Sequence, residues 1–225
     1  MSELNKKAFG GLLFFIIAVA ALLFIPVWTF NYWQAWFFLA VLSISVFTIT
    51  LYLAKNDPNL LERRVKAGSM AEKEKNQKII QFAAQITFIL VLVIPAIDHR
   101  FAWSLMPAYF SLFGDFLVVI GLLIVFFVFK ENTFTSAIIE VNTLQKVITT
   151  GPYAIVRHPM YIGAIIMLLG VPLALGSFWG ELAVILIFLV IILRLLDEET
   201  YLEKNLSGYK AYKNKVKCRL VPFIW

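Results

Sequence analysis

Cysteine, histidine and charge are all scarce in this chain. Cys218 is the only cysteine, which excludes an internal disulfide and any metal site built from several thiolates. His99 and His158 are the only histidines and lie far apart, so a histidine-rich metal centre is not expected. Charged residues make up 15% of the 225 positions, against roughly a quarter in ordinary soluble domains. Apolar residues take their place: 61% of the chain is hydrophobic, and mean hydropathy is +0.83. A soluble fold of this size has too little interior to hide that much apolar surface, whereas a bilayer accommodates it.

Ala8 to Ala54 is free of charge over 47 positions, enough for two membrane helices of about 20 residues each. A cleavable leader carries an apolar core of only about 7–15 residues, so this stretch reads as retained. A spanning segment must satisfy its own backbone hydrogen bonds, so the apolar runs are expected to be helices. They fall at Phe9–Thr29, Trp33–Ala54, Ile79–Ile97, Tyr109–Phe129, Pro159–Val171 and Leu182–Leu196. The last two are short and joined through Pro172, Gly176 and Gly180, which suggests a hairpin. Between spans two and three, Asn56-Asp57-Pro58 signals a helix start. Leu60, Leu61 and Val65 then share a face, with Arg63, Arg64 and Lys66 around it, as in a helix lying on a membrane surface.

Six spans put both termini on one side, and the basic residues test that count. Of the 20 Lys and Arg residues, 19 fall in segments assigned to the cytoplasmic side, and Arg100 is the exception. The expected fold is therefore all-α: a polytopic transmembrane helical bundle of about six membrane helices. It reads as a single membrane domain with a four-helix part over 1–130 and a second part, with a cytoplasmic C-terminal segment, over 131–225. Both termini are expected in the cytoplasm, in a prokaryotic plasma membrane. Asp98, His99 and Arg100 read as an interfacial loop, and Asp115 and Glu181 as residues near the outer headgroups. The basic C-terminal stretch suits anionic lipid better than nucleic acid.

Two stretches carry chemistry. In Gly151-Pro152-Tyr153-Ala154-Ile155-Val156-Arg157-His158-Pro159-Met160-Tyr161-Ile162-Gly163, Gly-Pro marks a turn and Pro159 suits the first turn of a helix. A helix start carrying Arg157 and His158 can receive an anionic group, and Tyr153 and Tyr161 can stack on a base or bond a ribose. A basic loop capped by a helix start has the same appearance in an ordinary membrane protein. The second stretch is Arg194-Leu195-Leu196-Asp197-Glu198-Glu199. Arg194 and Glu198 are four apart, so an i,i+4 ion pair at a helix end is the plain alternative to a functional pair.

Together with Tyr209-Lys210-Ala211-Tyr212 and Val221-Pro222-Phe223-Ile224, these stretches resemble the isoprenylcysteine carboxyl methyltransferase family and the wider phospholipid methyltransferase group. The resemblance covers about residues 130–225. Leu206-Ser207-Gly208 departs from the family's Phe-Gly before the first tyrosine of the pair. The resemblance implies a membrane methyltransferase using S-adenosylmethionine, with cofactor contacts from Gln145, Lys146, Val147, Ile148, Tyr153, His158, Pro159, Met160, Tyr161 and Glu198. It implies Arg194 as the cation on the acceptor side, and it sets Glu140 near a family glutamine. The partners it implies are a lipophilic or lipid-linked acceptor from the bilayer and the membrane lipids, with no metal and no nucleic acid. Certain sterol reductases share the C-terminal pattern but tend to read Arg-His-Pro-Asn-Tyr and then Gly-Glu; here Met160 and Gly163-Ala164 stand at those places. A nicotinamide-dependent reductase and a non-enzymatic membrane protein are the alternatives. The acceptor itself, a prenylcysteine carboxylate or a lipid headgroup, stays open.

Overall fold

A computed structural model describes residues 2–141, 145–222 and 225. Its helices are α1 (Glu3–Val27), α2 (Trp33–Asn56), α3 (Pro58–Val65), α4 (Lys75–Phe101), α5 (Ala108–Glu131), α6 (Pro159–Ala174), α7 (Gly180–Asn205) and α8 (Tyr209–Lys215). Short 3-10 turns occur at Ser69–Ala71 and Gly151–Ala154, and there is no strand among the described residues. Helices α1, α2, α4 and α5 are each long and apolar enough to cross a membrane, and α6 is a shorter apolar helix.

Helix limits follow from local chemistry. The Ser2 hydroxyl caps α1 by accepting from Asn5 N–H at 3.2 Å. Asp57 ends α2 and starts α3, where its carboxylate accepts from Leu60 N–H at 3.0 Å and Pro58 opens the first turn. The bundle core includes Leu23, Phe38, Leu92, Val118, Leu168 and Leu195. Outward-facing Phe14, Ile44, Phe116, Leu182 and Ile185 stay exposed, as expected where lipid covers the outer surface.

Lipid removes most of the hydrophobic drive for helices to associate, so close backbone packing must supply it. Helices α5 and α6 use glycines for this. A Cβ on Gly114 would lie 2.2 Å from Ala174 N, and one on Gly121 would lie 2.5 Å from Gly163 O. Gly163 and Gly170 complete the contact from the α6 side. This interface fixes the first turn of α6 against α5, and the candidate site is built on that turn.

The opposite end of the bundle is tied by polar bonds. Tyr32 Oη donates to Leu175 O at 2.7 Å, and an Arg100 Nη1 donates to Pro26 O at 3.1 Å. Exposed Trp28, Trp33, Trp36, Trp103 and Trp179 ring that end, which suits an interfacial aromatic belt.

Several expectations need correction. The third span does not stop at Ile97: α4 continues through Asp98, His99 and Arg100 to Phe101. Asp98 is buried, and its carboxylate accepts from Ser104 N–H at 2.7 Å, Ser104 Oγ at 2.6 Å and Ser177 Oγ at 2.5 Å. Three donors compensate the loss of water, so this acid serves the interior rather than an interfacial loop. Asp115, near the start of α5, is buried as well. Pro172 lies inside α6, and α7 runs for 26 residues, far beyond Leu196. Leu60 and Leu61 of α3 are fully packed under protein, while Arg63 and Arg64 donate to the carbonyls of Thr133 and Ser136. The α3 helix therefore closes over the 133–136 segment as well as presenting a basic face.

Candidate active site

The site starts from the Arg157-His158-Pro159 turn. His158 is the residue before a proline and takes an extended φ of −125°, and Pro159 begins α6. Arg157 and His158 are buried, and so is Glu199 from α7. Arg157 Nε donates to Glu199 Oε1 at 2.6 Å, His158 Nε2 lies 3.2 Å from the same oxygen, and Arg219 Nε donates to Oε2 at 3.0 Å. Arg157 Nη1 also donates to Val216 O at 2.8 Å and Lys217 O at 2.7 Å. The backbone N–H groups of Arg157 and His158 donate to Cys218 O and Arg219 O, each at 3.0 Å. The C-terminal segment is thus stitched to the turn, with Glu199 at the junction. Burial alone would raise the Glu199 pKa, but hydrogen bonds from His158, Arg157 and Arg219 outweigh it and hold the carboxyl well below the usual range.

One turn further along α6, Tyr161 Oη donates to Glu198 Oε2 at 2.6 Å. The i,i+4 ion pair that spacing allowed between Arg194 and Glu198 is not what the fold makes. Arg194 Nη2 instead donates to Glu72 Oε1 at 2.8 Å and to Ala137 O at 3.2 Å. Glu72 comes from the linker before α4 and is buried, and its other oxygen accepts from Ile139 N–H at 3.1 Å.

These groups surround one cavity of about 230 Å³. All ten expected cofactor contacts line it: Gln145, Lys146, Val147, Ile148, Tyr153, His158, Pro159, Met160, Tyr161 and Glu198. Arg194 and Glu140 line it too. Glu140 is oriented by Lys73, at 3.5 Å, and by the Ser136 hydroxyl. Of the expected C-terminal element, Val221 and Pro222 are described, while Phe223 and Ile224 lie outside the described residues.

Sequence reasoning missed several members. Tyr209 and Tyr212 line the cavity, and Tyr212 Oη donates to Tyr153 O at 2.8 Å. Burial pushes the hydroxyls of Tyr153, Tyr209 and Tyr212 up, so all three remain protonated donors at neutral pH. The two C-terminal tyrosines stood in the quoted motif and needed only promotion from signature to wall. Leu202 and Leu206 add an apolar surface that packs with Val147 and Tyr153. Glu199 adjoined Glu198 but gave no sign of which carboxylate faced the cavity. Arg64, Glu72 and residues 134–139 carried no motif at all.

The arrangement offers an apolar and aromatic wall, a carboxylate at Glu198 and a guanidinium at Arg194. Two buried polar atoms have no hydrogen-bond partner among the described residues and belong to cavity-lining side chains: Arg194 Nη1 and Tyr209 Oη. Unpartnered buried donors favour a ligand that accepts from them.

Residues 109–208 match the family model described as phospholipid methyltransferase. The match spans 100 of the 225 residues. The family comprises membrane methyltransferases and includes the isoprenylcysteine carboxyl methyltransferases. The matched residues run from α5 to the turn before α8 and include the Arg-His-Pro turn, Arg194, Glu198 and Glu199. Arg64, Glu72, Tyr209 and Tyr212 lie outside them. No curated protein matches the chain. The phospholipid methyltransferase segment and the long apolar helices together make this a membrane methyltransferase.

Proposed function

We propose that this membrane methyltransferase uses S-adenosylmethionine to methylate a lipophilic acceptor, an anionic one such as a prenylcysteine-like carboxylate being the best fit. The observation that carries the reading is the convergence of ten sequence-selected cofactor contacts and Arg194 on one cavity. The residues suit the cofactor. Val147, Ile148, Tyr153, Leu202 and Leu206 offer a flat apolar surface for an adenine ring. Tyr209 Oη is a buried donor with nothing to bond. Glu198, already held by Tyr161, offers a carboxylate to a cationic group.

S-adenosylmethionine, when bound, would supply an electrophilic methyl group on a sulfonium for transfer to the acceptor. Such a reaction asks the protein mainly for position and orientation, which can be worth about 7–11 kcal/mol. His158 and Glu199 hold the loop in place from behind: the imidazole faces Glu199, and the C-terminal carbonyls fix Arg157. Arg194 sits with one nitrogen on Glu72 and Ala137 and Nη1 unpartnered, so it can hold an acceptor's anionic oxygen in line. The Phe- and Leu-rich outer surface lets an apolar tail stay in lipid while the reacting group enters the cavity.

The test is calorimetric titration of detergent-purified protein with S-adenosylmethionine and S-adenosylhomocysteine, with NADPH as control. Saturable binding of the first two, lost in Glu198→Ala, is expected. NADPH binding without either of them would replace the reading with a reductase.

A further inference from the structure

Charge in the cavity is unevenly paired. Arg194 and Arg64 both anchor to the 136–139 segment, Arg194 through Ala137 O and Arg64 Nη1 through Ser136 O at 3.0 Å. Glu72 joins the same segment at Ile139 N–H and pairs with Arg194. Among the described residues no carboxylate lies within ion-pair distance of Arg64, whose guanidinium stacks over the Phe129 ring, 5.0 Å from its centroid. Both arginines line the cavity. Burial, and then the field of the neighbouring Arg194, pull the Arg64 pKa down to about 10, so it stays charged at neutral pH beside a like charge.

Two guanidinium groups therefore share one carboxylate, and one positive charge is left over. Glu198 does not cancel it under the reading above, because S-adenosylmethionine brings a net positive charge of its own and Glu198 balances that. Arg64 is partly buried, and a charge drawn out of water without a counter-charge is costly; the cost is relieved when a ligand of opposite sign binds. Arginine is also suited to the task, since its fork grips a carboxylate or phosphate through two parallel bonds.

We propose that Arg64 and Arg194 together form an anion subsite on the acceptor side of the cavity, in which Arg64 selects acceptors carrying a carboxylate or phosphate. The proposal rests on the acceptor assignment made for Arg194 and adds a residue that lies outside the matched family segment. It makes α3 a specificity element: the short helix after the second span carries the second cation onto the reacting group. An acceptor with a neutral headgroup leaves the extra charge unpaired and binds more weakly.

The test compares matched amphiphiles that differ only in charge, so that the apolar tail cancels. N-acetyl-S-farnesylcysteine is titrated against its methyl ester, and farnesyl phosphate against farnesol, with the wild-type protein and the Arg64→Gln and Arg64→Lys variants. S-adenosylhomocysteine binding is measured on each sample. The expected result is at least a tenfold preference of the wild type for one anion over its neutral partner. Arg64→Gln should reduce that preference at least fivefold without changing the affinity for the neutral amphiphile, and Arg64→Lys should keep part of it. The anion that shows the preference identifies the acceptor headgroup as carboxylate or phosphate. No preference in either pair, or a preference that Arg64→Gln leaves intact, overturns the subsite. Should S-adenosylhomocysteine fail to bind, the methyltransferase reading of this cavity fails, while the anion preference still reports on Arg64 independently.

Discussion

Replacing Glu199 by glutamine removes one negative charge from the junction of two guanidinium groups, Arg157 and Arg219, and the His158 imidazole. Arg157 is 5% exposed, and its Nε bond to Glu199 is 2.6 Å long. Removing one partner of a buried pair typically costs about 3–5 kcal/mol, because the remaining charge stays buried and uncompensated. Arg157 keeps two carbonyl acceptors, Val216 and Lys217, so the low end, about 3 kcal/mol, applies. That corresponds to about a hundredfold increase in opening of the contact between the Arg-His-Pro turn and the C-terminal segment. Hydrogen exchange reads it directly at the amides of Arg157 and His158, which donate to Cys218 and Arg219 carbonyls. The rise should be local. The pH dependence carries a definite sign. The lowered carboxyl binds fewer protons folded than unfolded, so its stabilisation is complete above the ordinary carboxylate pKa, about 4.3, and is lost as pH falls through the depressed folded value. The gap between wild type and variant should therefore shrink below about pH 4. A rise under about threefold, or an equal rise in the amides of α5, would refute the reasoning.

Three further outcomes are expected. Gly114→Ala should cost about 1–3 kcal/mol or more and lower the thermal midpoint in detergent, because the new Cβ meets α6 backbone, whereas Gly10→Ala, with nothing within 4 Å, should leave it unchanged or slightly raised. Asp98→Asn should destabilise by about 1–3 kcal/mol, since one of its three donors is left facing an amide N–H; the same thermal assay checks it, and cofactor binding should be unaffected because the residue lies at the far end of the bundle. Tyr161→Phe should weaken S-adenosylhomocysteine binding about fivefold to tenfold by freeing Glu198, with calorimetry as the readout.

Composition and the spacing of charges were enough to read a helical membrane bundle, since backbone groups in lipid leave almost no other choice. The helix limits were less legible. The polar residues Asp98 and Arg100 looked like a span's end, yet α4 runs on past them: Ser104 and Ser177 from neighbouring loops meet the buried Asp98, and the exposed Arg100 reaches the Pro26 carbonyl of α1. The motif positions proved informative as a set: Gln145 to Ile148, the Arg-His-Pro turn about ten residues on and Glu198 about forty residues after that line one cavity.

Pairing was the part no linear reading could supply. Helical spacing offered Glu198 to Arg194, but Tyr161 takes Glu198 and Glu72 takes Arg194 from 122 residues away. Local periodicity names which side chains can share a face, and it says nothing of what a distant linker brings to that face. The sequence by itself determined the class of fold, the residue types available for the chemistry and the end of the bundle that holds them. Only the tertiary structure decided that Glu199 locks the turn, that Glu72 neutralises Arg194 and that Arg64 is left with an unmatched charge. Burial turns each of these from a solvated surface charge into a group whose partner matters.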